Sequence, residues 1–407
     1  MDPVDIMLNQ QNVIPLYQPV ISADTQQVIG YDVFPYFKTT ENDLEPIAWF
    51  FQDSSIPEEF RMEINHILIQ KALDYYFEQG NRSLYMFFNY DSQIILKDRG
   101  EGILNLLQNY HEQGLDYDKI IIQLKDHFIA EEIDSVRVLF NYLKSLGIRV
   151  ALDHDGLKNG NLERLAYLMP SIVKIDLSFL NREGLPQLYR DIHNSLTLLS
   201  EKIGATIMFK GISTYSQLHH AWQNGGRFYQ GSYLMAPQRQ FVEPDACTKI
   251  IQRDFQMFVA YEQKKIKAQI DMATRINEKL KTLLAKIEIN NNYDEIIQKV
   301  ATACDDFTFR IYITDHTGLQ LSANIEKNDE GTWELRPESR YKNWSWRPYF
   351  FETVARMTLE KRGFLSDLYT DIDRNEQIRT FSYPLNEQLF IFLDIPYSYL
   401  FEQEGLL

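Results

Sequence analysis

The stretch Ile172–Phe179, "IVKIDLSF", sets a cation and an anion, Lys174 and Asp176, two residues apart within a run of strand-forming residues. Alternation along a strand sends both side chains to one face. Further short apolar runs reach a polar side chain in the same way: Asp32, Asn89, Gln123, Asp153 followed by His154, Lys210 and Gln230. One polar residue at such a place is ordinarily a solvated strand end. Seven strands in succession point to a pocket that is, or once was, functional. A ring that mixes carboxylates, amides and ammonium groups can hold a charged ligand, or it can balance its charges internally.

These positions belong to a regular pattern. Up to about Leu234 the chain alternates short apolar runs with amphipathic ones. The strand candidates are "LYQPVIS", "VIGYDVF", "SLYMFFN", "KIIIQLK", "RVALDHD", "IVKIDLS", "TIMFKGI" and "RFYQGSYL", most of them rich in β-branched and aromatic residues. Helical patterns such as "EEFRMEINHILIQKALDYYF" and "SVRVLFNYLKSLG" lie between them, the latter ending at Gly147. Eight strands with helices between most of them predict an α/β protein of the (β/α)8 TIM-like barrel type. In such barrels chemistry gathers at the carboxyl ends of the strands, where the polar ring falls. The first two strands are separated only by residues around Asp24 to Gln26, too few for a parallel crossover, so this pair is expected as an antiparallel hairpin.

Three segments follow from the pattern. The barrel is expected over 1–245 and a connecting helix over 246–289, where no Gly or Pro interrupts "TKIIQRDFQMFVAYEQKKIKAQIDMATRINEKLKTLLAKIEI". Ile266, Ile270, Ala273, Asn277, Leu280, Leu284 and Ile287 alternate spacings of four and three, the seam of a coiled coil. Asn277 on that seam can fix the register of a homodimer; the seam serves equally to pack the helix on the chain's own domains. Residues 290–407 read as an α+β domain, with a helix at "YDEIIQKVATAC", strands "FRIYITD", "LQLSAN", "IRTFSYPL" and "LFIFLDI", and the extended stretch "GFLSDLYTD". This order resembles PAS-like and Cache-like sensory domains. Trp344, Trp346, Arg347, Tyr349, Tyr369 and Asp371 are candidates for the lining of a small-molecule pocket, or else the aromatics fill the domain's core.

Composition sets outer bounds. A formal net charge of -16 argues against a nucleic-acid polymer or an anionic membrane surface as the main partner. A small anionic ligand in a local basic pocket remains compatible with it. The two cysteines, Cys247 and Cys304, lie far apart and suggest neither a disulfide framework nor a metal cage. The start "MDPVDIMLNQQ" lacks the basic and apolar regions of a secretory signal, and no run of about 18 apolar residues occurs. The expectation is a soluble cytoplasmic protein without membrane insertion.

The quoted strands also carry a resemblance. "YQPVIS…VIGYDVF", "FFN", "ALDHDG", "VKIDLSF" and "FYQGSYLMAP" resemble, in order, the motifs of the EAL family. The C-terminal segments resemble the branch of that family that joins an EAL barrel to a PAS-like domain. The resemblance implies hydrolysis of cyclic di-GMP to a linear dinucleotide, assisted by magnesium or manganese. Hard divalent cations take oxygen ligands, and two such ions polarise the phosphodiester and activate water. Asn89, Asp153, Lys174, Asp176 and Gln230 match the family pattern.

Other positions depart from it. Asp32 replaces the signature glutamate, and Tyr36 replaces the arginine four positions later that meets a ligand phosphate. In "IQLKDH" the metal-binding carboxylate becomes Gln123, with Asp126 in place of the second glutamate. The paired aspartates become Asp153 and His154, and the seventh strand's "EGVE" becomes "KGIS", with Lys210 and Ser213 for the two glutamates. "DHDGLKNGNLERL" differs from the family's Gly-rich loop, which takes part in dimer formation. An ammonium about 4 Å from a divalent ion is repelled by roughly 8 kcal/mol at an effective dielectric near 20.

The resulting expectation is a catalytically degenerate member acting as a regulatory or scaffold element. No ion is expected, or at most one at Asp32, Asn89 and Asp153. Lys210 is expected among Asp153, Asp32 and Asp176 in place of a metal. Weak cyclic di-GMP binding through Gln18, Lys174 and Gln230 is compatible with this. A slow metal-dependent phosphodiesterase and a C-terminal ligand sensor with an inert barrel are the alternatives.

Overall fold

Period-two alternation turns the eight apolar runs into the staves of a closed barrel. In the computed structural model these are β1 (Val13–Ser22), β2 (Val28–Lys38), β4 (Tyr85–Asn89), β5 (Ile120–Lys125), β6 (Arg149–His154), β7 (Ile172–Asp176), β8 (Thr206–Lys210) and β9 (Phe228–Tyr229), with a short β3 (Leu44–Pro46) added at the edge of β2. The structure describes residues 2–39, 43–125, 133–154, 162–181, 187–328, 330–347 and 350–402, with the backbone alone at 154, 179, 181 and 187–190. Asp126, Tyr349 and the loop at 155–161 therefore lie outside the described residues, as does the side chain of His154.

From β2 to β9 the staves are parallel neighbours in chain order. β1 closes the ring and runs antiparallel to both β2 and β9. The expected opening hairpin is thus present, with Gln18 opposite Asp32. A short α1 (Pro3–Leu8) precedes β1, and the helices between the staves include α2 (Glu58–Glu78), α3 (Ser92–Lys97), α4 (Glu101–His111), α5 (Ile133–Ser145), α6 (Leu162–Leu168), α7 (Gln187–Lys202) and α8 (Tyr215–Gln223). The eighth stave is shorter than the apolar run "RFYQGSYL" implies. There Gly231 lies so close to Ile212 that a Cβ would sit 2.0 Å from its carbonyl oxygen, and the chain turns out of the ladder.

The barrel interior is layered. Val20, Phe87, Ile121, Ala151, Ile172, Met208 and Phe228 form one apolar tier. Two residues further along each stave, or two earlier on the reversed β1, come Gln18, Asn89, Gln123, Asp153, Lys174, Lys210 and Gln230. Because the side-chain period is two, each of these polar residues stands on the same face as its apolar neighbour, one level nearer the carboxyl ends.

The chain divides into two compact units, Met1–Gln256 and Met257–Leu407. The expected connecting helix, α9 (Thr248–Leu284), begins in the first and continues in the second. Its Met272, Ile276 and Leu280 are buried in the core of the second unit, together with α10 (Tyr293–Ala303). That core lies on one face of an antiparallel sheet of β10 (Arg310–Asp315), β11 (Asn324–Lys327), β12 (Trp333–Arg336), β13 (Phe364–Leu365), β14 (Tyr369–Thr370), β15 (Gln377–Pro384) and β16 (Leu389–Pro396). α11 (Phe350–Glu360) covers the opposite face through Phe350, Val354 and Met357, and α12 (Tyr397–Glu402) follows β16. "LQLSAN" is not the expected strand: Leu319 and Gln320 form isolated bridges, and the ladder of β11 begins only at Asn324. Its side chains compete for the backbone: Ser322 Oγ accepts from the Ile313 amide at 2.8 Å and Gln320 Nε2 donates to the Ser322 carbonyl at 3.0 Å.

The seam divides in the same way. Ile266 and Ile270 are exposed, whereas Leu280 is fully buried. Asn277 does not wait for a second helix. Its Nδ2 donates to the Gly363 carbonyl at 3.0 Å and its Oδ1 accepts from the Gly363 amide at 2.7 Å, which ties α9 to the strand that enters the sheet at Phe364. Replacing Asn277 with Leu should therefore destabilise the protein by about 1–3 kcal/mol in urea unfolding, since two buried backbone groups lose their partners. A coiled-coil seam position would respond with a gain in stability.

Candidate functional site

The barrel mouth is built in two tiers. In the inner tier, Asp32 on β2 accepts three hydrogen bonds. Gln123 Nε2 donates to its Oδ1 at 2.7 Å; Lys174 Nζ and Gln230 Nε2 donate to its Oδ2 at 2.8 and 3.0 Å. Lys174 also donates to Gln123 Oε1. Gln230 donates to Gln18 Oε1 at 2.9 Å, and Gln18 donates to the Met235 carbonyl at 3.0 Å. Lys174 and Asp32 are each only 2 % exposed. Burial of a charge is costly unless it is paired and hydrogen-bonded, and both conditions hold for this pair.

The outer tier reaches solvent. Lys210 Nζ lies 2.6 Å from Asp153 Oδ2 and 3.7 Å from Asp176 Oδ2. Asp176 Oδ1 accepts from the Ser178 amide at 2.8 Å. Gly211 makes room for this arrangement, because it adopts a left-handed φ of +72° and a Cβ there would come 2.7 Å from Asp176 Oδ1. Asn89 is exposed at the end of β4. Asp153 Oδ1 and Gln230 Oε1 are buried without a hydrogen-bond partner among the described residues. With one ammonium and two carboxylates among the described residues, the outer tier carries a formal charge of −1, and the inner tier, Lys174 with Asp32, is neutral.

The structure therefore brings together the residues singled out in the sequence but assigns their partners differently. Lys210 meets Asp153 and Asp176, not Asp32, which Lys174 holds instead. Gln18, Lys174 and Gln230 belong to the buried tier, where polar groups are taken up by one another and by Asp32. Among the described residues, Asn89, Asp153, Asp176 and Lys210 make up the outer tier.

The two divalent ions implied by the resemblance do not fit this donor set. Both Asp32 oxygens are engaged by amides and an ammonium. Gln123 offers no charge, and one oxygen of Asp153 already lies against the Lys210 ammonium. Among the described residues no three His, Cys, Asp or Glu side chains converge on a common point suited to a metal. Asp153 Oδ1 is a buried carboxylate oxygen at the mouth without a donor among the described residues.

In the second unit, Trp344, Arg347 and Tyr369 do line a cavity. Trp346 does not; its ring is 66 % exposed and lies under the Arg347 guanidinium at 5.3 Å. Asp371 is also elsewhere. Arg310 binds it, and Arg310 Nε donates to Asp394 Oδ2 at 2.6 Å. Burial opposes the charge on Asp371, but the hydrogen bond and charge of Arg310 prevail and hold its carboxyl below the usual carboxylate range. Tyr312, Ser382 and Phe392 line the cavity and were not singled out in the sequence. Their signal was present in the alternation of "RIY", "TFS" and "FIF", which puts them on one face of the sheet.

Comparison with known proteins places this geometry. The family model for the EAL domain matches residues 3–237, and a model described as an EAL-domain associated signalling protein domain matches 241–407. The chain is 37% identical to YkuI of Bacillus subtilis (strain 168), an EAL-domain containing protein, over 100% of both chains. It is 23% identical to the probable cyclic di-GMP phosphodiesterase PdeG of Escherichia coli (strain K12), over 56% of this chain and 45% of that protein. The crystal structure of B. subtilis YkuI in complex with cyclic di-GMP and calcium matches with a TM-score of 0.94 over 100% of both chains. A Klebsiella pneumoniae BlrP1 complex with calcium and the same dinucleotide matches at TM-score 0.50 and 17% identity, over 57% of this chain and 58% of that one, a likeness of fold alone.

The inner tier makes a direct prediction. Lys174→Met strands Asp32 as an unpaired buried charge and should lower unfolding stability by about 3–5 kcal/mol. Adding Asp32→Asn to that variant should recover part of the loss. A Lys174→Met protein within about 0.5 kcal/mol of the parent in urea would show that the pair is not buried as described.

Proposed function

The chain belongs to the EAL-domain family, and on that premise we propose that it is a non-hydrolytic, regulatory member of cyclic di-GMP signalling. The observation that carries this reading is the Lys210 ammonium, 2.6 Å from Asp153 and 3.7 Å from Asp176. A fixed ammonium there neutralises the carboxylates that a divalent ion would otherwise bridge, and it repels such an ion. Among the described residues at the mouth, none would then lower the pKa of a water as a divalent ion does.

The relatives support a place in this signalling system, since YkuI has been crystallised with cyclic di-GMP. In this chain the dinucleotide would meet Lys210, Asn89 and Asp176 at the outer tier, above the buried network around Asp32 and Lys174. The outer tier's −1 charge and the absence of an arginine at Tyr36 leave little to attract phosphates, so binding is weak. The dinucleotide then acts, if it acts, by shifting the population of protein conformations or contacts rather than by turnover.

The C-terminal unit, an antiparallel sheet with helices on both faces, suits a PAS-like sensory module. The exposed Ile266 and Ile270 on α9 suit contact with a second copy of the chain. The residues near Asn290 that follow α9 mark the start of this module in the reading proposed here, with the barrel before residue 246.

A second reading has one observation in its favour. The unpartnered Asp153 Oδ1, together with the calcium in the YkuI complex, suits a single weakly held ion and slow hydrolysis. Incubation with cyclic di-GMP and Mn2+ separates the two. The proposed reading expects no linear dinucleotide above the protein-free control, and an affinity for cyclic di-GMP that changes less than about twofold between EDTA and Mn2+. Product that appears in the parent protein and vanishes in Asp153→Ala would overturn it.

A further inference from the structure

The barrel carries a cavity at the end opposite its mouth. It holds about 370 Å3, within the range for small-molecule sites, and opens between the feet of β6, β7 and β8. Lys144 at the end of α5, Arg149 at the start of β6 and Ser171 just before β7 line it, beside an apolar wall of Met169, Pro170 and Ile203. Arg149, Ala151 and Asp153 share the interior face of one stave, so the apolar tier that contains Ala151 separates this foot from the polar mouth.

The charge of this cavity runs against that of the chain. In a protein of formal net charge -16, two cations line it and, among the described residues, no carboxylate does. Other cationic groups at the foot are matched within the protein. Lys119 lies 2.8 Å from Asp118, and Lys144 donates to the Met169 carbonyl just after α6. A lysine in the last turn of a helix is also favoured by the helix dipole. Arg149 has neither explanation. It is half-buried, stacks on the Tyr85 ring at 4.8 Å, and has no ion pair or side-chain hydrogen bond among the described residues. Stacking engages the face of a guanidinium and leaves its in-plane N–H donors for an acceptor. The Ser171 hydroxyl likewise makes no hydrogen bond among the described residues, and the Lys144 ammonium has donors beyond the one that Met169 takes.

We propose that this cavity binds a phosphate group, free or as the monoester of a small organic molecule. The planar fork of Arg149 matches two phosphate oxygens. Lys144 supplies the second positive charge and the Ser171 hydroxyl a neutral donor. Two cations without a carboxylate suit a dianion better than a monocarboxylate, whose single charge leaves one of them unmatched. The wall of Met169, Pro170 and Ile203 gives the organic part of an ester an apolar surface.

Calorimetric titration of the full-length protein with orthophosphate, glycerol 3-phosphate and acetate, at matched ionic strength of about 0.15 M, tests this. At least one of the two phosphates should bind saturably, and acetate at least about tenfold more weakly. Tighter binding of glycerol 3-phosphate would identify the ligand as an ester, and tighter binding of orthophosphate as the free ion. Arg149→Gln should weaken the phosphate about tenfold or more, and Ser171→Asp, which sets a carboxylate between the cations, should abolish binding. Lys144→Gln lies on a helix outside the barrel wall and should weaken binding at least about threefold, so the cavity is probed even where a change in β6 hinders folding. Absence of binding by either phosphate up to about 10 mM, equal affinity for acetate, or phosphate binding indifferent to both Lys144→Gln and Ser171→Asp would overturn the proposal. The mouth lends no residue to this cavity, so the test with cyclic di-GMP stands or fails separately.

Discussion

The mouth of this barrel is organised around one buried ion pair, Lys174 with Asp32, 2.8 Å apart and each almost wholly out of solvent. A buried pair of this kind is tolerable only when its remaining donors and acceptors are satisfied. Gln123 and Gln230 supply that satisfaction, and Gln18 anchors Gln230 in turn. Each of these side chains comes from a different stave, and each is in place only because the period of two sets it above an apolar neighbour. The pair thus depends on barrel closure, and the polar centre of the barrel depends on the pair.

That arrangement decides what the outer tier can do. A second ammonium, on Lys210, stands beside Asp153 and Asp176, so the mouth holds two cations among its three described carboxylates. Each ammonium offsets one of these carboxylates and repels a cation brought beside it. The same fold that in a hydrolase gathers carboxylates for ion-assisted chemistry here gathers fixed charges that neutralise one another. The fold persists under such changes of side chain, and function is argued from the site rather than from the barrel.

The architecture was legible because its signals are local. Alternation gave the staves, the brief link near Asp24 gave the hairpin, and the polar residue two places beyond each apolar one gave the ring. Pairing within the ring was not legible. Which carboxylate each lysine takes depends on stave tilt and depth, so Asp32 went to Lys174 although Lys210 was equally available to a reading of the sequence. Asn277 shows the same limit: its heptad position is a local fact, but its partner Gly363 lies 86 residues away. Asp371 followed Arg310, 61 residues off, instead of joining Trp344 and Arg347. Conversely, Ser382 and Phe392 escaped notice because a small hydroxyl and a strand phenylalanine carry no chemical signature until the sheet face they share is known.

Manganese binding examines the idea of ammonium in place of metal most directly. Free Mn2+ has a sharp paramagnetic resonance spectrum that collapses when the ion is captured by a protein. With Mn2+ and full-length protein at equal concentration, the spectrum should match that of buffer alone, and Lys210→Glu should diminish it by restoring a carboxylate where the amine stood. Capture of the ion by the unaltered chain, abolished by Asp153→Asn, would contradict the account at its centre.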